Sequence, residues 1–462
     1  MSRREAKIRS RIRIVFAGGI YLKNSVFKNA AWIIACKIIQ SLINLVIGLL
    51  TVRYLGPSNY GSLTYVMSVV AFTMPVMQLG LNQTLVKEFV QSPDQEGTIL
   101  GTALVTNMLS SAFCMIGSVA FVAIANAGEK ETLLVCVLYS FTLLFQATEM
   151  TQFWFQSKLL SKYPSIASLC AYMVVALYKT YLLVTGKGVV LFALSNVLEY
   201  FLISVILITF YKKIGKQRLS FDRRIAREML SRSKYYIIPS LMVMVFQHTD
   251  RIMIRLMIGE AETGFYSAAI TCIGMSAFVF SAVIDTARPV ILEEKEKSTA
   301  LDCAQYEKRV IQLYSIITCI SLAQSVFMTL LAKPIVFLLY GKAYEKTAGI
   351  LSVAVWYVTF SYYGSVRNVW ILAEGKQKYL LGINVAGALA NVVLNYVLIP
   401  VWGAVGAALA SLFTQFFTNV VIGFIFKPIR RNNDLMMKSL NPRVMVEILS
   451  GVLSRVRQKG RA

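Results

Sequence analysis

The chain has 462 residues, of which 56% are hydrophobic and only 15% are charged, and its mean hydropathy is +0.61. This composition excludes an ordinary soluble protein, because too few polar residues remain to cover a surface in water. The formal net charge of +24 would favour nucleic-acid binding in a soluble protein, so the positions of the charges decide how it is interpreted.

Twelve long apolar segments follow one another along the chain, in two sets of six. A helix needs roughly 20 apolar residues to cross the ~30 Å hydrocarbon core, where no water is available to backbone groups. The predicted spans are 28–52, 61–83, 99–124, 132–156, 164–185, 188–211, 235–258, 265–290, 310–332, 348–373, 379–400 and 403–427. The loops between them are too short for a catalytic domain, so we expect a polytopic membrane protein that is not an enzyme.

Lys and Arg concentrate in the loops on one side of this topology, which the positive-inside rule assigns to the cytoplasm. Both termini are then predicted to be cytoplasmic. The net charge is interpreted as membrane topology plus attraction to anionic lipid head groups, and nucleic acid is not expected as a partner.

The predicted organisation has five parts. They are a basic interfacial N-terminal arm (1–27), an N-lobe of helices 1–6 (28–211), a basic cytoplasmic linker (212–234), a C-lobe of helices 7–12 (235–427) and a basic cytoplasmic tail (428–462). In the tail, Val444, Ile448, Val452 and Val456 recur every four residues and predict an amphipathic helix on the inner leaflet, with a frayed basic tail as the alternative.

The two sets of helices also carry an internal repeat. Residues 53–61, RYLGPSNYG, align with residues 256–264, LMIGEAETG, so that Gly56 matches Gly259 and Gly61 matches Gly264. Six helices bring the chain back to its starting side, so the repeats run parallel. The predicted fold class is all-α integral membrane, with about twelve transmembrane helices in two parallel six-helix lobes around a central cavity.

Ionisable and polar side chains within the spans indicate the lining of that cavity, because they are costly in hydrocarbon. Lys37, Gln40 and Asn44 share one face of helix 1, and helix 4 carries Glu149 and Gln152 in the same way. We predict substrate binding by Lys37, Gln40, Asn44, Gln152, Arg251, Arg288 and Arg367, and ion coupling by Glu149, Asp250 or Asp285.

Several of these side chains have a simpler interpretation. Lys179 and Arg255 are close to outer helix ends and would reach the interface, and Arg288 would reach the interface at the inner end or pair with Asp285. The asparagines of helix 11, Asn384, Asn391 and Asn395, would form interhelical hydrogen bonds. His248 is the only histidine, and the seven cysteines lack metal-ligand spacing, so no metal or cofactor is expected beyond a coupled proton or sodium ion.

Three motifs resemble a known family. The sequence TDRIMI at 249–254 with GFYSA at 264–268 is similar to the helix 7 to helix 8 signature of bacterial polysaccharide flippases, the Wzx-type members of the multidrug/oligosaccharidyl-lipid/polysaccharide exporter superfamily. The stretch NYVLIP at 395–400 with GAVGAALA at 403–410 resembles their helix 11 to helix 12 junction, and RYLGPSNYG also looks like theirs. The resemblance covers residues 25–427.

The resemblance implies a flippase that moves undecaprenyl-diphosphate-linked oligosaccharide units across the bacterial cytoplasmic membrane by alternating access, for capsule, O-antigen or exopolysaccharide synthesis. It also implies contact with membrane lipids and partnership with the polysaccharide polymerase and chain-length machinery. A diphosphate requires cationic, hydrogen-bonding walls, which the charged residues of the spans supply.

Other functions remain open at this point. A lipid II transporter would share the fold, and a drug/cation antiporter would be expected to have an acidic cavity. A membrane-embedded polymerase would require a catalytic constellation, and none is visible. A structural assembly partner would not explain the charged residues within the spans.

Overall fold

The computed structural model describes residues 3–298 and 303–443, with side chains from residue 36 onward. Every regular element in these ranges is helical. The amphipathic helix predicted at Val444–Val456 lies outside the described residues.

Seven α-helices cover the first half of the chain. They are α1 (Arg3–Gln78), α2 (Leu85–Gln91), α3 (Glu96–Ala125), α4 (Lys130–Gln146), α5 (Thr151–Ser157), α6 (Lys162–Thr185) and α7 (Val189–Ile214). The second half adds α8 (Arg223–Ser233), α9 (Ile237–Met257), α10 (Glu260–Gly274), α11 (Ala277–Lys297), α12 (Ala304–Leu330), α13 (Ala332–Tyr340), α14 (Glu345–Ala354), α15 (Tyr357–Ala373), α16 (Leu380–Phe416), α17 (Ile422–Ile425) and α18 (Arg430–Ser439).

Two of these helices each contain two of the predicted spans. Helix α1 breaks at Gly56 (φ 70°, ψ 173°) and α16 breaks at Gly403 (φ 57°, ψ −135°), in backbone conformations that favour glycine because it has no Cβ. Seven helical segments of the described chain are long and apolar enough to cross a membrane, or eight if α10 and α11, bent by 43°, form one broken span. The remaining predicted spans correspond to the second spans within α1 and α16, to α9, and to α14 with α15.

The chain divides into two compact units. The first unit comprises the residues up to Thr51 together with Thr73–Ser240, and the second comprises Val52–Phe72 together with the residues from Leu241 onward. The segment Val52–Phe72, which the sequence assigns to the N-lobe, packs within the second unit. The predicted lobe boundaries stay a prediction.

The basic linker is fixed to the first unit along a glycine face of α3. A Cβ atom at Gly97 would lie 2.3 Å from the Arg218 carbonyl oxygen, and one at Gly101 would lie 2.4 Å from that of Ser220. The Asp222 backbone N–H donates to Thr102 Oγ1 at 3.0 Å. Only residues without a side chain allow so close an approach of the two backbones.

The linker then forms helix α8, which was not among the predicted helices. The Asp222 carboxylate caps it by accepting hydrogen bonds from the first backbone N–H groups of the helix, Arg224 at 2.7 Å and Ile225 at 3.1 Å. Near its other end, Arg232 Nη1 donates to both carboxylate oxygens of Glu88, at 2.9 and 3.1 Å. This contact raises the pKa of Arg232.

A second short basic helix, α18, follows the last predicted span and packs within the second unit. Asn432 is fully buried and accepts a hydrogen bond from Tyr314 Oη at 3.0 Å. Arg431 forms a bidentate pair with Glu307 at 2.6 and 2.8 Å, which raises the pKa of Arg431. Each set of six spans is therefore followed by a short basic helix that packs within its own unit.

We expect Gly101→Val to release the linker from α3, because the new side chain would meet the Ser220 backbone. Overpacking of this kind typically costs about 1–3 kcal/mol. Limited trypsin digestion of the purified protein should then cleave at Lys216 and Arg218 faster than in the wild type. Gly117→Val on the same helix is the matched control, since no atom lies within 4 Å of its Cβ position. Equal cleavage of the two variants would contradict the docking.

Candidate functional site

A polar cavity of about 530 Å³ lies within the second unit. Helices α9, α10, α15 and α16 form it, together with the π-helix Phe417–Val421 that continues α16. Its polar lining includes Gln247, His248, Asp250, Arg251, Tyr266, Ser361, Ser365, Arg367, Asn368, Asn384, Ser411, Gln415, Thr418 and Asn419. Four of these, His248, Asp250, Arg251 and Arg367, carry or can acquire charge.

Asp250 is the acidic residue of this cavity, and it is 5% exposed. Its Oδ1 accepts hydrogen bonds from Asn391 Nδ2 at 3.2 Å and from Asn395 Nδ2 at 2.6 Å. Its Oδ2 accepts from the hydroxyls of Tyr266 and Ser411. Four neutral donors thus stabilise the carboxylate, which needs such donors because burial has removed most of its contact with solvent.

Oxygen atoms close to this carboxylate are the hydroxyls of Tyr266 and Ser411 and the Oδ1 of the Asn395 amide that contacts it, whereas Asn391 Oδ1 accepts from Asn395 Nδ2 at 3.2 Å. Asn395 Oδ1 is buried and has no hydrogen-bond partner among the described residues. Carboxylate, amide and hydroxyl oxygens are the ligands that hard cations prefer, and the hydroxyl hydrogens can rotate away. The arrangement can therefore exchange a proton or hold a small cation at Asp250.

Arg367 is the most deeply buried cation of the cavity, with 3% of the residue exposed. Its Nη1 donates to the Thr418 carbonyl oxygen at 2.8 Å, in the π-helix, where carbonyl groups deviate from the α-helical pattern. Its Nε has no partner, and none of the described acids forms an ion pair with it. Burying a charge without a counter-ion is unfavourable, so this side chain is suited to an anion.

Arg251 and His248 lie on α9 and also line the cavity. Neither Arg251 Nε nor His248 Nδ1 has a hydrogen-bond partner in the described part of the chain. Because the Asp250 carboxylate is bound by neutral donors, it does not form an ion pair with either arginine. The cavity therefore combines two guanidinium groups with one carboxylate and carries a net positive charge.

The other residues that were predicted to bind substrate do not line this cavity. In the first unit, Lys37 and Asn44 are exposed on α1, whereas Gln40 Nε2 donates to Ser168 Oγ at 3.0 Å. Gln152, on α5, is partly buried. In the second unit, Arg288 forms an exposed pair with Asp285 at 3.2 Å on α11, and neither residue lines the cavity.

Glu149, a predicted ion-coupling residue, lies in the first unit in the 3₁₀ turn Ala147–Met150 between α4 and α5. It interacts electrostatically with Glu199 on α7, which in turn interacts with Lys179 on α6. Glu149, Glu199 and Lys179 all lie within predicted spans, so three charged residues of the first unit interact with one another. This group contains two acids and one base, in contrast to the cationic cavity of the second unit.

The sequence did not single out Tyr266 or Ser411 as site residues. Tyr266 belongs to a motif noted for its resemblance, and Ser411 follows a run of small residues. The three asparagines of helix 11 were the available signal: Asn384 lines the cavity, and Asn391 and Asn395 form interhelical hydrogen bonds to Asp250.

Comparison with solved structures supports the fold. A structure titled lipid II flippase MurJ, inward closed conformation, matches 91% of this chain and 92% of its own, with a TM-score of 0.67 at 14% identity. The likeness confirms the predicted fold class, an all-α membrane protein with about twelve transmembrane helices in two lobes.

Two relatives resemble the chain in sequence. Capsular polysaccharide biosynthesis protein CapF of Staphylococcus aureus is 20% identical over 409 residues, which are 87% of this chain and 99% of CapF. An uncharacterized membrane protein of Methanocaldococcus jannaschii is 24% identical over 268 residues, 56% of this chain, and the match spans about half of that protein, 51%.

A family model also matches the sequence. The model described as polysaccharide biosynthesis protein matches residues 26–294, which is more than half of the chain. The predicted resemblance to polysaccharide flippases is thereby confirmed, and the chain belongs to the polysaccharide biosynthesis protein family.

Proposed function

We propose that this protein is a flippase that moves undecaprenyl-diphosphate-linked oligosaccharide repeat units across the bacterial cytoplasmic membrane, for the synthesis of a surface polysaccharide. A multi-pass membrane protein of the flippase and transporter type follows from the family and the fold. The observation that carries the finer proposal is the buried guanidinium of Arg367, which faces a polar cavity and has no acidic partner among the described residues.

Arginine suits this role because its planar guanidinium binds phosphate oxygens in a bidentate manner and stays charged when buried. Arg367 and Arg251 would take the diphosphate, while Lys37, Gln40, Asn44, Gln152 and Arg288 would contact other parts of the substrate. The substrate would cross by alternating access of the two repeats, with its bonds unchanged. The polymerase and chain-length machinery would receive it on the outer side.

Ion coupling is proposed to use Asp250 in preference to Glu149 or Asp285. Asp250 accepts from four neutral donors, and two of these are hydroxyls, Tyr266 and Ser411, whose oxygens can face a proton or a sodium ion once their hydrogens rotate away. The Asn395 amide that contacts Asp250 also carries an unpartnered oxygen, Oδ1. Asp285 is 63% exposed beside Arg288. A cation at Asp250 would favour whichever conformation binds it more tightly.

A drug/cation antiporter fits the geometry less well. Cationic drugs require acidic walls, whereas the cavity of the second unit has two arginines for one carboxylate. A role in assembly alone would leave the cavity and its buried arginine without a purpose.

We expect Arg251→Gln and Arg367→Gln to reduce export of the glycan, because each removes a charge-assisted contact worth about 1.5–3 kcal/mol. The measurement is the amount of surface polysaccharide in a deletion strain that expresses each variant, with undecaprenyl-linked oligosaccharide quantified in the membrane. Arg224→Gln, on the exposed face of α8, is the matched control. Normal export by both cavity variants at matched protein levels would rule out the proposed contact.

We expect Asp250→Asn to abolish the response of transport to an imposed ion gradient, because the amide can neither release a proton nor balance a cation. Purified protein in liposomes would be given a proton or a sodium gradient while movement of the lipid-linked substrate is followed. Glu149→Gln and Asp285→Asn should respond like the wild type. A gradient response that survives in Asp250→Asn and disappears in Glu149→Gln would show that ions couple through Glu149 in the first unit and not through Asp250.

The linker is predicted to be cytoplasmic, since basic residues in short loops stay inside. A single cysteine at Ser220, in a variant that lacks the native cysteines, should resist a membrane-impermeant thiol reagent applied to intact cells. A cysteine at Lys130, the first residue of α4, should react. The reverse labelling pattern would invert the topology.

A further inference from the structure

The two repeated motifs, residues 53–61 and 256–264, pack against each other within the second unit. The fourth residue of each is a glycine that breaks a helix at positive φ, Gly56 (φ 70°) and Gly259 (φ 134°). A Cβ atom at either position would meet nothing within 4 Å, so both glycines are required by the backbone conformation and not by packing. The structure therefore places equivalent breaks at the two equivalent positions of the repeat.

The contact between the motifs is reciprocal. A Cβ atom at Gly61 would lie 1.9 Å from the Glu260 carbonyl oxygen, and one at Gly264 would lie 1.9 Å from the Pro57 carbonyl oxygen. The sequence offset that relates Gly61 to Gly264 also relates Pro57 to Glu260. Reciprocal contacts of this kind are the property of an interface built around a two-fold axis.

One hydrogen bond lies on that local axis. Thr64 Oγ1 and Ser267 Oγ are 2.9 Å apart, and the two residues are separated by 203 positions, the offset of the motifs themselves. A residue that contacts its own equivalent must lie next to the axis. Thr64 is 8% exposed and Ser267 is fully buried, so the contact is closely packed.

Charged and aromatic side chains surround this contact. Arg255 Nη2 donates to Glu260 Oε1 at 2.8 Å, and the Arg255 guanidinium lies 5.6 Å from the centre of the Tyr65 ring. Tyr344 Oη donates to the Val52 carbonyl oxygen at 2.8 Å. We give the name outer seal to the contact between residues 57–64 and 260–267, because the predicted topology puts these helix ends on the outer side.

The outer seal lies next to the polar cavity. On α9, Arg255 is one turn beyond Arg251, which lines the cavity. On α10, Ser267 of the seal directly follows Tyr266, whose hydroxyl donates to Asp250. The seal thus covers the outer end of the helices that form the cavity.

We propose that the outer seal is the barrier that closes the cavity toward the outside, and that it separates whenever the transporter releases its substrate there. This proposal rests on the proposed transport function. The barrier works by mutual backbone contact at Gly61 and Gly264, so it can close only if both positions lack a side chain. Polar groups at the axis, Thr64 and Ser267, form a single hydrogen bond that can be broken and re-formed in each cycle.

The test is a reversible cross-link across the seal. Thr64→Cys and Ser267→Cys are combined in a variant without the seven native cysteines, because side-chain oxygens 2.9 Å apart allow the two sulfur atoms to bond. Oxidation should form the disulfide, detected by mass spectrometry of the digested protein. Transport in liposomes should be lost on oxidation and restored by reduction, whereas each single-cysteine variant should be unaffected by the oxidant.

A second variant pair tests the glycine requirement without relying on transport. In the two-cysteine protein, Gly264→Ala should slow disulfide formation about tenfold, because the new methyl group overlaps the Pro57 carbonyl oxygen. Gly274→Ala on the same helix is the control, since no atom lies within 4 Å of its Cβ position. Equal rates in the two variants would show that the glycine contact is not what closes the seal.

The outcomes separate this proposal from the flippase assignment. If the oxidised protein still transports at the rate of the reduced protein, the seal proposal is wrong and the flippase assignment stands. If the disulfide does not form at all, the closed contact itself is refuted. If reduced and wild-type proteins both fail to move lipid-linked oligosaccharide, the proposed function fails, and the cross-linking rates still decide whether the glycine contact exists.

Discussion

The absence of water within the membrane is the constraint on which the rest of this structure depends. A buried carboxylate must find donors in the protein, and Asp250 finds four, from α10 and from both parts of α16. These bonds connect α10 and both parts of α16 to α9 at Asp250. Arg367 donates to a carbonyl group of the π-helix at 2.8 Å and to Asn368 Oδ1 at 3.5 Å, but no acid among the described residues pairs with it, so the second unit keeps an unbalanced positive charge beside the cavity. The packing of the unit and its unbalanced positive charge therefore depend on the same restriction.

Glycine determines where backbones can approach within this apolar chain. At Gly97 and Gly101 it allows the linker to lie on α3, and at Gly61 and Gly264 it allows the two motifs to meet. The linker contact and the contact between the motifs differ in the interactions that hold them. The linker contact is strengthened by hydrogen bonds and by the ion pair of Arg232 with Glu88, so it holds the linker to its unit. At the contact between the motifs, hydroxyl groups form hydrogen bonds that can break and re-form, Thr64 with Ser267 at 2.9 Å and Tyr60 with Thr271 at 3.2 Å.

The sequence could predict the parts of the fold that depend on a property summed over many residues, such as hydropathy. Hydropathy over about 20 residues locates a span, and a glycine between two spans locates the breaks at Gly56 and Gly403. Helix α8 was not predicted, because a basic segment of eleven residues is stable as a helix only through its contacts with α3 and Glu88. Tyr266 and Ser411 were missed because one tyrosine or serine in a helix has no pattern until Asp250 is placed beside it.

Helix α10 connects the two parts of the proposed mechanism, ion binding at Asp250 and opening of the outer seal. Successive residues of a helix point about 100° apart, so Tyr266 faces Asp250 while Ser267 faces the outer seal. Opening of the seal requires α10 to move relative to residues 57–64, and any such movement shifts the Tyr266 hydroxyl with respect to the Asp250 carboxylate. A proton or cation at Asp250 changes how strongly that carboxylate attracts the hydroxyl. Because coupling between two sites is reciprocal, an ion that favours one position of α10 also favours one state of the seal.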